Sequence, residues 1–122
     1  MSVEPINEVR ITGAFERGIE LSRVSRGDNE FDLAAGSLTF TVMRGGKEIR
    51  NWVDVECIGD MALEFADTPS NVAVTVTGEL RRAAWKDPVT DEWKHRHFIY
   101  FRSVVVHAMG EPEARPGDDL PF

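Results

Sequence analysis

Cysteine is nearly absent from this chain. Cys57 stands alone, which excludes an internal disulfide and any multi-cysteine metal site, and fits a reducing compartment. Histidine occurs only three times. No apolar run approaches the roughly eighteen residues of a membrane span, and Met1-Ser2-Val3-Glu4-Pro5 has neither a basic nor an apolar leader region. The expected address is therefore the cytoplasm, with no membrane contact. Helical periodicity is almost missing, which argues against a helical bundle or coiled coil. Bases are fewer than acids, 14 against 21, and the net charge of -7 taken alone argues against a polyanionic partner.

What is present is one domain's worth of ordinary globular sequence: 122 residues, 42% hydrophobic. Alternation with a period of two dominates. Val9, Ile11, Gly13 and Phe15 mark a first strand, and Ser25 to Glu30 reads as loop. Leu38, Phe40 and Val42 lead into Gly45-Gly46, a hairpin turn. Beyond it Val53, Val55 and Cys57 share one face, and Trp52, Asp54, Glu56 and Ile58 the other. Four-residue spacing of Met61, Ala62, Phe65 and Ala66 predicts one short helix with Asp60 as its N-cap. Val72 to Arg81 predicts a long fourth strand, Lys86 to Glu92 a reversal, and His97 to Val106 a fifth strand. Three strands, a helix and two strands imply an all-β, five-stranded Greek-key barrel of the oligonucleotide/oligosaccharide-binding (OB) type, with its helix between strands three and four. The domain is expected over residues 1–109. Residues 110–122, with three prolines and four acids, are expected to form a disordered acidic tail.

Charge is segregated along the chain. Arg81 to Arg102 holds six bases against three acids, while the tail is net acidic. Trp52, Trp85 and Trp93 fall at strand ends or on the last hairpin, and Arg81, Arg82, Lys86, Lys94 and Arg96 interleave with the latter two. Half-exposed rings beside cations suit unpaired nucleic acid, because every base offers a π-face and every nucleotide a phosphate. The plainer reading is rings capping the barrel ends. Asp54 and Glu56 lack a histidine or a glycine-rich loop beside them, and read as a solvated face that locally repels phosphate. His95 and His97 point the same way on a strand but have no third ligand, so no metal or other cofactor is expected. Cys57 reads as a buried structural thiol. No nucleophile–base pair is assembled, so the chain is not expected to be an enzyme. Asp118-Asp119-Leu120-Pro121-Phe122 combines two carboxylates, an apolar anchor, a rigid proline and a terminal ring, the make-up of a docking peptide.

In this order the segments resemble the bacterial and phage single-stranded DNA-binding protein family. Asn7 to Gly13 is similar to its opening strand, Trp52 to Gly59 to its tryptophan-led third strand, and Gly78-Glu79-Leu80-Arg81-Arg82-Ala83-Ala84-Trp85 to its fourth. The last five residues resemble the family's acidic tip. The resemblance implies that Trp52 and Trp85 stack bases, that Arg81 and Arg82 hold the backbone, and that the tip recruits replication and repair proteins. It also implies a homo-oligomer, a tetramer before a dimer. Ile58 stands where many members carry an aromatic, Arg44-Gly45-Gly46 replaces a longer loop, and Asp54 takes a place where a base is common. These departures predict weaker, more salt-sensitive binding, with Trp93 as compensation. The expected function is sequence-independent binding of single-stranded DNA. The rival is an accessory barrel that acts through protein contacts.

Overall fold

A computed structural model describes residues 3–107. The expected tail and its tip, Asp118 to Phe122, lie outside the described residues. Six strands, not five, form one sheet in the order β1-β5-β6-β4-β3-β2. They are β1 (Val9–Gly13), β2 (Ile19–Arg26), β3 (Asn29–Arg44), β4 (Lys47–Ile58), β5 (Val74–Lys86) and β6 (Trp93–Val106), with the helix α1 (Asp60–Ala66) between β4 and β5.

The extra strand corrects the sequence reading at two points. Ser25 to Glu30 is not a loop: β2 pairs with β3 from Ile19↔Gly36 to Arg26↔Asn29, leaving only Gly27 and Asp28 to turn the chain. A two-residue turn suffices because the first position is glycine at φ 66. The barrel is also not closed by a ladder. The chain just after β1 meets β3, beyond the part that pairs with β2, at one isolated bridge, where Ala14 and Thr39 exchange two hydrogen bonds of 2.9 Å. The Gly45–Gly46 hairpin is as expected, and both glycines have positive φ, as a type I′ turn requires.

Alternation puts Phe15, Leu38, Val55, Cys57, Val74, Val76, Ile99 and Phe101 in the core. The helix closes one end by inserting Ala62 and Phe65. Phe65 stacks on Phe101 with ring centroids 4.6 Å apart and meets Phe15 edge-on at 5.5 Å. Asp60 is not the N-cap, because Gly59 takes that position and no side chain caps it; the carboxylate lies in the first turn, where the helix dipole favours it. At the sheet's edge the Asn7 side chain exchanges two 2.9 Å hydrogen bonds with the backbone of Leu80, prolonging the β1–β5 ladder.

Candidate nucleic-acid interface

The ladder registers decide which side chains share a face. Residues opposite one another point the same way, and Trp85 lies opposite Lys94, Ala83 opposite Arg96, and Arg81 opposite Phe98. The short parallel contact of β4 with β6 sets Glu56 beside Tyr100, and β3 sets Ser37 beside Asp54 and Thr39 beside Trp52. The outer face of β3, β4, β6 and β5 therefore carries Trp52, Trp85, Phe98 and Tyr100 together with Arg81, Lys94 and Arg96. Trp52 is 70% exposed and Trp85 42%. Their rings are not held inside the protein and can take a flat ligand.

The predicted set is thus split. Trp93 lies opposite Lys86, and Arg82 opposite His97, which places these residues on the reverse side of the β5–β6 hairpin. Trp93 is as exposed there as Trp52 is on the outer face. His95 and His97 share that side with ring centroids 6.4 Å apart, and no group of three metal-ligating side chains occurs among the described residues.

Four participants are absent from the sequence reading. Phe98 and Tyr100 alternate with the core residues Ile99 and Phe101, so strand parity alone assigns them to the outer face. Their aromatic character is what the alternation hid. Arg17 and Arg50 line a cleft of about 370 Å³ against Trp52, with Ser37 and Thr39 on its other wall. Arg50 lies on the same outer face, opposite Thr41, and bonds Glu16, whereas Arg17 makes no ion pair among the described residues. Arg17 enters the site from the turn after β1, and nothing in the local sequence points it towards a tryptophan three strands further along the chain.

Most cations of this face are already matched with acids. The Arg81 guanidinium lies 3.9 Å from the Tyr100 ring centre and donates a 2.7 Å hydrogen bond to Glu79. That bond, the field of Arg81 and the nearby Arg102 hold the Glu79 carboxyl below the usual carboxylate range. Lys94 is 3.8 Å from Asp87, and on the reverse side Lys86 is 3.4 Å from Asp91. Arg96 bonds Glu56 and lies 3.6 Å from Asp54, so these two acids are a matched pair rather than the free solvated face expected. Exposed pairs of this kind contribute only about 0–1 kcal/mol, and a phosphate can replace the carboxylate. Cys57 is buried behind this face; desolvation raises its thiol pKa, against a smaller opposing effect of the Tyr100 hydroxyl.

The architecture is shared with a solved protein, Plasmodium falciparum SSB in complex with single-stranded DNA. The two superpose with a TM-score of 0.69 over 87% of this chain and 98% of that one, at 14% sequence identity. That likeness shows an OB-type fold. No protein-family model matches the sequence, and no curated protein matches it.

Proposed function

We propose that this protein binds single-stranded DNA on the outer face of β3, β4, β6 and β5, without sequence preference along most of the strand and without catalysis. The observation that carries the reading is the gathering of Trp52, Trp85, Phe98 and Tyr100, with cations beside them, on one face of a fold shared with an SSB–DNA complex. Bases stack on the rings. Arg17, Arg50, Arg81 and Lys94 take the phosphates, displacing carboxylates where they have them. Trp93, Lys86 and Arg82 extend contact to the reverse of the hairpin, where a strand rounding its end would meet them. The acidic tip, Asp118 to Phe122, recruits replication or repair proteins, and the protein works as a homo-oligomer in the cytoplasm.

A titration with a thymine homopolymer, read by tryptophan fluorescence at several salt concentrations, tests this. Saturable quenching is expected, with a slope of about -0.7 in log affinity against log salt per phosphate contacted. Unchanged emission at low salt refutes the reading. The pairing of Arg81, Lys86, Lys94 and Arg96 with acids favours one rival, an accessory protein of weak DNA affinity that acts through protein contacts. Under that rival, replacing Trp52 and Trp85 leaves function intact.

A further inference from the structure

The turns of the β3–β4 and β5–β6 hairpins lie at the same end of the sheet, because each turn leads into β4 or β6 and these two strands run parallel where they meet. Both hairpins continue past the core as two-stranded arms. Alternation fixes what each arm presents on its inner side, the side that continues the core. In the first arm Phe40, Val42 and Arg44 follow the buried Leu38, opposite Asn51, Ile49 and Lys47. In the second, Arg82, Ala84 and Lys86 follow Leu80, opposite His97, His95 and Trp93. Charge separates these inner sides from the outer face. Arg50, Arg81, Lys94 and Arg96 of the outer face each meet a carboxylate, whereas Arg44, Lys47 and Arg82 make no ion pair among the described residues. Lys86 meets only Asp91, in the turn.

Exposed rings accompany these cations. Trp93 is 70% exposed, and the exposed rings of His95 and His97 follow it along the strand, 6.4 Å apart. On the other arm Val42, Met43, Arg44, Ile49 and Asn51 line a cleft of about 450 Å³. Four cations with one competing carboxylate attract a polyanion, and flat rings between them select its kind. A duplex keeps its bases stacked on one another and an acidic peptide has none, whereas an unpaired strand offers a π-face at every nucleotide. We infer that the inner sides of the two arms form a second surface for single-stranded DNA, so that one domain holds two stretches of strand, on opposite sides of the β5–β6 hairpin. This rests on the proposed function and extends it from coating one strand to holding two stretches side by side. Arg44 and Lys47, on the neighbouring arm, make the inner surface more than the end of the outer path.

Native mass spectrometry with a thymine oligomer of about ten nucleotides, a length suited to one OB-type site, counts the strands held per chain. The unaltered full chain is expected to take two at saturation and Arg44→Glu/Arg82→Glu one. Both arginines are exposed, so the fold should survive, as circular dichroism checks. If the double variant is unstable, Arg82→Ala should lower the salt slope for a long thymine strand by about 0.7. A long strand bound first then shows where the second stretch comes from. If it blocks a labelled short oligomer, the same strand folds over the arm; if the oligomer still binds, a separate strand occupies the inner side, and either result supports the surface. One oligomer per chain on the unaltered protein, two on the double variant, or an unchanged slope for Arg82→Ala overturns the second surface while leaving DNA binding in place. No binding by the unaltered protein overturns the proposed function, and the second surface with it.

Discussion

Replacing Trp52 by alanine separates binding from stability. The ring is 70% exposed, so its removal leaves no cavity and should shift the urea midpoint little. Stacking on an aromatic side chain contributes about 1–3 kcal/mol per base, which corresponds to roughly 5- to 150-fold in affinity. Trp52 lines an open cleft with Arg17 and Arg50 but carries no charge, so the salt slope should stay at its original value while the whole line moves to weaker binding. Arg17→Ala should do the reverse, lowering the slope by about 0.7 with a smaller loss at high salt. Fluorescence anisotropy of a labelled thymine oligomer at four or more salt concentrations reads both quantities. Equal affinity for Trp52→Ala and the original protein, combined with a large loss for Trp93→Ala, would refute the argument and place the strand on the reverse of the β5–β6 hairpin.

Further consequences follow from the core and the sheet. Phe65→Ala removes a ring packed against both Phe15 and Phe101 and should cost about 3–5 kcal/mol, read as a lower urea midpoint. Gly78→Ala should also destabilise, because a Cβ there would fall against the Tyr100 carbonyl and the Ile99 side chain at a bulge in the β5–β6 ladder; Tyr100 must then shift, so DNA affinity falls with stability. The Glu79 carboxyl, held down first by its hydrogen bond from Arg81, stabilises the folded state above the ordinary carboxylate pKa, and that contribution disappears as pH falls through the lower folded value. A carbon-detected NMR titration should show this depression in the original protein and its reduction in Arg81→Ala.

Much of the face is legible from strand parity in the sequence. Trp52, Asp54 and Glu56 read as outward and Val53, Val55 and Cys57 as inward, because one half-buried strand fixes both sets. β2 escapes such a reading because its burial is slight: Leu21 and Arg23 are both exposed, and Ile19 and Val24 do not keep a period of two, so an edge strand with one neighbour leaves little trace in composition. The sides taken by Trp85 and Trp93 depend on the hairpin register, which places Trp85 against Lys94 and not against Trp93. The partnership of Arg96 with Asp54 and Glu56 spans forty residues and a parallel contact, beyond the reach of any local pattern.

The contact between β4 and β6 covers only Val55↔Ile99 and Glu56↔Tyr100, and the end of β1 meets β3 at the single Ala14–Thr39 bridge. Backbone hydrogen bonds thus stitch the sheet into two leaves, β1-β5-β6 and β4-β3-β2, with a narrow seam between them. Trp52 belongs to one leaf, while Trp85, Phe98 and Tyr100 belong to the other. A polymer lying on all four rings crosses the seam and acts as a splint. Its affinity then carries the free energy of holding the leaves in register, and saturating ligand should slow amide exchange at Val55 and Ile99, though both are buried on the opposite side of the sheet.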